Sequence, residues 1–341
     1  MTSFEMVPGM EKPLTLICSQ PAPAQATYRF LVVCRLLVLL PALFSMETCE
    51  GGTPDESSSN DVPAKKKNVG AEKRLTFDGH LKHDPVFVES GKAIVYTSLE
   101  KFNQLCLMKV GFPVNGETEP VRFHGAASTS ELMATFSKDD RVYAYLRNNG
   151  NLHFEIVLED RGAGKSVSYN PGGGFAGVRN ISYAPDGTNV IFAFPNQNGP
   201  QQIQSLDRDG KTVSLLTDSN GVNVCPSYSR DGNQIVFSSS RDGDFDIFTM
   251  NSDGSNPVNV TQSPGMDTHP CFSPDRKKIA FTSIRKGNYD IYLLEIASRK
   301  VQRLTSNPEV DDYPCWSPDG KTVVWVAERN GKRDLYSRKI E

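Results

Sequence analysis

Acidic residues recur along this chain at a fixed distance before an aromatic one. Glu131, Asp267 and Asp311 stand five positions ahead of Phe136, Phe272 and Trp316, and Asn223 stands five ahead of Tyr228. His83, Asp84, His269 and Asp312 lie beside these positions. Carboxylates and imidazoles on neighbouring loops suit three kinds of chemistry: binding a cation, recognising a basic peptide, or holding a metal that polarises a substrate. Lys82 and Val178 fill the two remaining equivalent positions, so the set is mostly, not wholly, acidic. A plainer reading is that these polar groups solvate loop ends and cap strand starts.

Other short motifs carry less. Gly172-Gly173-Gly174-Phe175-Ala176-Gly177 fits the lettering of a dinucleotide loop, but such a loop must open a helix, and the strand-like Ile181-Ser182-Tyr183 follows instead. Gly162-Ala163-Gly164-Lys165-Ser166 resembles a phosphate loop, yet Glu159 stands where its first glycine is required. Asp242, Asp244 and Asp246 alternate like the start of a calcium loop, but Ile247 takes the place of the obligatory glycine and Asp253 that of the closing glutamate. No Gly-x-Ser-x-Gly elbow occurs.

The aromatic residues behind the acidic ones belong to a repeat. Pro314-Cys315-Trp316-Ser317-Pro318-Asp319-Gly320 is its clearest copy, and Pro270–Asp275, Pro226–Gly232 and Ile181–Gly187 echo it. Weaker copies surround Phe136 and Phe87, so the six anchors are Phe87, Phe136, Tyr183, Tyr228, Phe272 and Trp316, spaced by 49, 47, 45, 44 and 44 residues. Each copy reads as four strands. A short strand ends at Ser-Pro-Asp-Gly, a turn in which proline presets φ, aspartate bonds the backbone and glycine accepts the left-handed conformation. Continuous apolar runs follow, such as Ile279-Ala280-Phe281 and Val323-Val324-Trp325, as expected of strands covered on both faces. A third strand (Asp290-Ile291-Tyr292, Asp334-Leu335-Tyr336) and an outer one (Asn259-Val260-Thr261, Arg303-Leu304-Thr305) complete the unit. Six four-stranded units of this period predict an all-β, six-bladed β-propeller over residues 74–341. The sixth unit has no outer strand after Tyr336, and Arg74-Leu75-Thr76 repeats Arg303-Leu304-Thr305, so the first strand is expected to close the ring.

These copies resemble the TolB-type propeller repeat, shared with tricorn-type and prolyl-oligopeptidase-type propellers. The resemblance implies a non-catalytic, monomeric binding module of the cell envelope whose partner is an envelope protein or peptide, a peptidoglycan-associated lipoprotein being one candidate. TolB proteins carry an α/β domain before the propeller, and the residues between Cys49 and Arg74 are too few for one. Related propeller lyases acting on uronate sugars use a histidine-rich metal site, which makes a metal-assisted lyase or hydrolase the alternative, with His80, His83 and His269 as its candidates. In the favoured reading Asp267, Asp311, Asp312, His269, Asn223, Glu131, His83 and Asp84 form a binding rim at the channel mouth. No cofactor is expected except a Ca2+ ion in the channel.

Residues 1–48 read as a targeting segment, because Arg29 and Arg35 precede the apolar run Leu36–Phe44, which is too short to span a bilayer. The protein is therefore expected to be exported, to the periplasm or tethered to a membrane, with a lipid anchor at Cys49 as one form of tether. Residues 49–73 are polar, lack aromatics and read as a linker. A net charge of -3 provides no basic field for nucleic acid. The seven cysteines are too scattered for a disulfide scaffold, and Cys271 and Cys315 are expected to be free thiols.

Overall fold

The computed structural model describes residues 70–100, 104–112, 119–124, 129–148, 154–172, 177–196 and 199–340. The targeting segment, Cys49 and most of the linker lie outside them, as do residues 173–176 of the glycine-rich loop. No helix among the described residues is long and apolar enough to cross a membrane.

A short strand, β1 (Lys73–Arg74), comes first. Blade 1 follows as β2 (Lys82–Val88), β3 (Ala93–Leu99), β4 (Leu105–Gly111) and β5 (Val121–Arg122), and blade 2 as β6 (Ser130–Phe136), β7 (Val142–Asn148), β8 (Phe154–Asp160) and β9 (Lys165–Tyr169). Blade 3 is β10 (Arg179–Tyr183), β11 (Asn189–Pro195), β12 (Gln201–Asp207) and β13 (Val213–Leu215). Blade 4 is β14 (Asn223–Tyr228), β15 (Gln234–Ser239), β16 (Asp246–Asn251) and β17 (Val258–Asn259). Blade 5 is β18 (Asp267–Phe272), β19 (Lys278–Ser283), β20 (Asp290–Glu295) and β21 (Lys300–Arg303). Blade 6 has β22 (Asp311–Trp316), β23 (Thr322–Arg329) and β24 (Lys332–Lys339) from the C-terminal end of the chain. Its fourth strand is β1, in the order β1-β24-β23-β22 with Lys73 opposite Ser337 and Arg74 opposite Tyr336. The innermost strands touch in succession and β22 touches β2, so the ring of six blades is closed.

The apolar runs do what their continuity implied. Each of six buried clusters fills the space between two adjacent blades: Ile291 and Leu293 of blade 5, for example, pack on Trp316, Val323 and Trp325 of blade 6. A strand covered by a sheet on either side has no solvent face to alternate toward. The turns also follow their sequence. Ser317 donates to Asp319 (2.6 Å), the Thr322 N–H donates back to Ser317, and Gly320 takes φ 71°. Ser229 and Ser273 repeat the bond to Asp231 and Asp275.

The Arg-Leu-Thr sequence shared by residues 74–76 and 303–305 has a definite task. In blade 5, Arg303 pairs with Asp290 at 2.5 Å while Thr305 Oγ1 accepts the Ile291 N–H at 3.0 Å. In blade 6, Arg74 pairs with Asp334 at 2.5 Å, and Thr76 Oγ1 donates to Asp334 (2.7 Å) and accepts the Leu335 N–H (3.0 Å). Thr261 with Asp246, and Thr217 with Gln202, form the same latch in blades 4 and 3. The outer strand is thereby pinned to the first residues of the third. Replacing Thr305 by the isosteric valine leaves the buried Ile291 N–H without its hydroxyl acceptor, so Thr305→Val is expected to cost about 1–3 kcal/mol in a urea unfolding measurement.

Candidate functional site

Every innermost strand carries the same irregularity. Its pairing with the second strand slips once, as between Thr268 and Cys271 in blade 5, where His269 and Pro270 stand against Phe281 alone. Equivalent slips occur in the other five blades. At each slip the residue three before the anchor aromatic has positive φ: Asp84 (52°), Met133 (56°), Asn180 (44°), Cys225 (53°), His269 (48°) and Tyr313 (56°). Such bulges re-aim side chains, and positive φ in residues other than glycine costs on the order of 1 kcal/mol or more each. Here the six re-aimed side chains line one central cavity of about 320 Å³.

The cavity runs from this ring to the turns that follow the innermost strands, where Pro185, Pro274 and Pro318 line it. Ser90, Lys138 and Arg230 are the lining residues that are exposed, and all three belong to those turns, so the cavity opens there. At the ring end, the His269 and Tyr313 rings lie 4.2 Å apart and His83 lies 6.0 Å from Tyr313.

Charge in the ring is paired across blades. His269 Nδ1 meets Asp312 Oδ1 at 2.7 Å, and Thr282 Oγ1 and the Tyr313 N–H donate to the same oxygen at 2.7 Å each. Burial on its own pushes the His269 imidazole down, but the Asp312 charge and the adjacent Cys225 lift it well above its ordinary value. Burial would raise the Asp312 carboxyl, yet His269 holds it below its usual range. Each partner thus favours the charged form of the other. His83 Nδ1 lies 2.5 Å from Asp84 Oδ2.

Of the residues expected to form an exposed rim, Asp84 and His269 line the cavity, and His83 and Asp312 touch them. The other four are placed elsewhere. Asp267 and Asp311 are fully buried and pair with Arg285 (2.7 Å) and Arg329 (2.8 Å) of their own blades, and Trp325 Nε1 also donates to Asp311. Asn223 accepts from Arg241 at 2.9 Å, and Glu131 meets His124 Nδ1 at 2.8 Å. Strict alternation puts residues five and three before the aromatic on one face, and the bulge breaks that alternation. The omitted ring members were Met133, Asn180, Cys225 and Tyr313. One signal did mark the bulge: Pro85, Pro226, Pro270 and Pro314 stand mid-strand, where a residue without an N–H cannot serve a regular ladder.

Neither the calcium nor the metal-lyase expectation gains support. Among the described residues no group of three or more histidine, cysteine or acidic side chains is placed to hold a metal. Asp246 and Asp242 both accept from the Asn259 amide, and Asp246 also belongs to its blade's threonine latch. His80 is exposed and does not line the cavity.

Known proteins share this architecture. TolB from Acinetobacter baumannii superposes with a TM-score of 0.61 at 20% identity over 74% of this chain, which spans 65% of that protein. A structure from Agrobacterium tumefaciens assigned as TolB gives 0.59 at 22% identity, covering 77% of this chain and 91% of the other. The oligogalacturonate lyase of Vibrio parahaemolyticus gives 0.52 at 13% identity, covering 79% and 93%. At these identities the likeness is one of fold. The sequence itself matches the TolB beta propeller domain over residues 122–263 and 256–341, and with most of its length so matched the chain belongs to that family.

Proposed function

We propose that this chain is a non-catalytic binding module that receives a segment of a partner protein at the turn-face opening of its central channel. The observation that carries the reading is the six-membered ring of re-aimed side chains, which lines a central cavity that opens at the turn face. Strained backbone repeated in six blades and converging on one cavity is a feature that recognition uses and packing alone does not need. The cell envelope is the proposed setting, the partner is an envelope protein or peptide, and export by the leader at residues 1–48 belongs to the same proposal. The lyase alternative draws on the likeness to the oligogalacturonate lyase, but His269 is engaged by Asp312 and His83 by Asp84, and among the described residues no group of three is placed to hold a metal.

The rim decides the test. Lys138 and Arg230 are the exposed cations lining the opening, and they are the groups that a segment bearing carboxylates would engage. Calorimetric titration with a peptidoglycan-associated lipoprotein as the probe is expected to show binding, weakened about tenfold by Lys138→Glu with Arg230→Glu, at an unchanged melting temperature. Binding that ignored the double substitution would move the site off this opening, and absence of binding would remove the proposed partner.

A further inference from the structure

We propose that Phe123, Phe136 and Tyr143 form an aromatic cage for a quaternary ammonium group, with Arg161 as the displaceable plug that fills it. Phe123 directly follows β5, the outer strand of blade 1, while Phe136 ends β6 and Tyr143 lies in β7 of blade 2. The three rings therefore meet where the two blades adjoin. Phe123 stands edge-on to the other two, at 90° to Phe136 and 88° to Tyr143, with centroids 5.6 Å apart in both cases. Phe136 and Tyr143 are nearly parallel, at 18° and 5.4 Å. Arg161 Cζ sits 4.7 Å from the Tyr143 centroid, 5.2 Å from that of Phe123 and 5.9 Å from that of Phe136. A cation within about 6 Å of a ring face is attracted by the ring's quadrupole, and several rings around one cation is the arrangement that recognises methylated ammonium groups.

Arg161 differs from the other arginines stacked on rings. Arg285 lies over Phe281 and Tyr292 but also bonds Ser283 and the buried Asp267, and Arg329 lies over Tyr336 while pairing with the buried Asp311. Arg241 lies over Phe237 and Phe248 and donates to Ser239 and the buried Asn223. Removing any of these three strands a buried polar group. Arg161 is exposed, enters no ion pair among the described residues, and its side chain donates to the Asp140 carbonyl oxygen at a long 3.5 Å. It can swing away without stranding a buried partner. A quaternary ammonium, which has no N–H to satisfy, is the cation suited to take its place.

The walls are held independently of the plug. Tyr143 is buried, its Oη lies 3.0 Å from His124 Nε2, and His124 Nδ1 in turn meets Glu131 Oε2 at 2.8 Å. Phe123 and Phe136 pack against the apolar cluster between blades 1 and 2, which includes Val88, Val95 and Val157. Shortening Arg161 is therefore expected to leave the three rings in place with their faces open.

The full chain and its Arg161→Ala variant, titrated with tetramethylammonium and with choline, test this, read by the upfield shift that ring currents impose on the bound methyl protons in NMR spectra. Arg161→Ala is expected to bind both about tenfold more tightly than the unsubstituted chain, and to prefer choline about tenfold over 3,3-dimethylbutanol, its uncharged isostere. Adding Tyr143→Leu is expected to abolish the binding. Phosphatidylcholine vesicles distinguish the source of the group: retention of the Arg161→Ala chain on them, competed by choline, assigns it to a lipid headgroup, and choline binding without such retention assigns it to a free solute. Equal affinity of the unsubstituted chain and Arg161→Ala, or equal binding of choline and 3,3-dimethylbutanol, would overturn the proposal. Should the Tyr143→Leu variant fail to fold, those two comparisons decide it, since they need only the exposed Arg161 to change.

Discussion

A chain beginning at Asp78 is expected to lose its cooperative unfolding transition or to aggregate, whereas one beginning at Gly70 should unfold like the full-length protein. The eight residues from Gly70 to Phe77 contain β1 and the latch, and their loss removes three kinds of stabilisation. The ladder of β1 with β24 and the Leu75 N–H bond to Leu335 disappear, at about 1 kcal/mol net per bond. Leu75, only 1% exposed, no longer fills the cluster between blades 6 and 1, which forfeits roughly 2 kcal/mol more. Asp334 is left buried without Arg74 or Thr76, retaining Lys82, and breaking a buried charge pair costs about 3–5 kcal/mol. The sum rivals the whole stability of an ordinary domain, about 5–15 kcal/mol. It also bares the long edge of β24 to other molecules. Calorimetry and light scattering on the two chains provide the check, and equal, monomeric behaviour would show that blade 6 is stable with three strands.

The second large effect is an asymmetry between the partners of the buried pairs. Arg329→Ala strands Asp311, which is fully buried and has Trp325 as its other donor, and Arg285→Ala strands Asp267 in the same way. Each should cost about 3–5 kcal/mol in denaturant unfolding at pH 7. The reverse substitutions, Asp267→Asn and Asp311→Asn, should cost far less, because blade 4 already uses that arrangement: Asn223 accepts from Arg241 at 2.9 Å. Burial, the larger influence, holds the Asp267 and Asp311 carboxyls above the ordinary aspartate range despite their arginines. A raised folded value means the folded state binds the proton more tightly than the unfolded chain. The contribution is therefore fully present below the unfolded value near 4 and lost as pH rises through the higher folded value. Asparagine, which has no charge to bury, should flatten that decline. Equal losses from the arginine and aspartate substitutions would contradict this account.

The fold was nearly all present in the sequence, and the reason is physical. Six copies of one unit state the same turn chemistry repeatedly, so a weak copy such as that around Phe87 is readable from its neighbours' spacing. The closing strand was readable because Arg74-Leu75-Thr76 must satisfy Asp334 as Arg303-Leu304-Thr305 satisfies Asp290. The site was half readable. His269 and Asp84 stand where loop chemistry suggested, but counting back from the aromatics assumes an unbroken pleat. One inserted residue per strand moves the ring from Asp267 and Asp311 to His269 and Tyr313. The partnership of His269 with Asp312 has no signature along the chain, since it depends on two blades meeting.

The closing strand also sets the order of events during synthesis. Thr76 and Asp334 are 258 positions apart, so β1 leaves the ribosome long before the strand it pairs with. Five blades can assemble in turn as they emerge, each against its predecessor. The ring itself can shut only after β24 has emerged, at the entropic expense of joining distant segments, which grows slowly with their separation but delays the final step. During that interval the newborn propeller is an open arc with two unsatisfied faces.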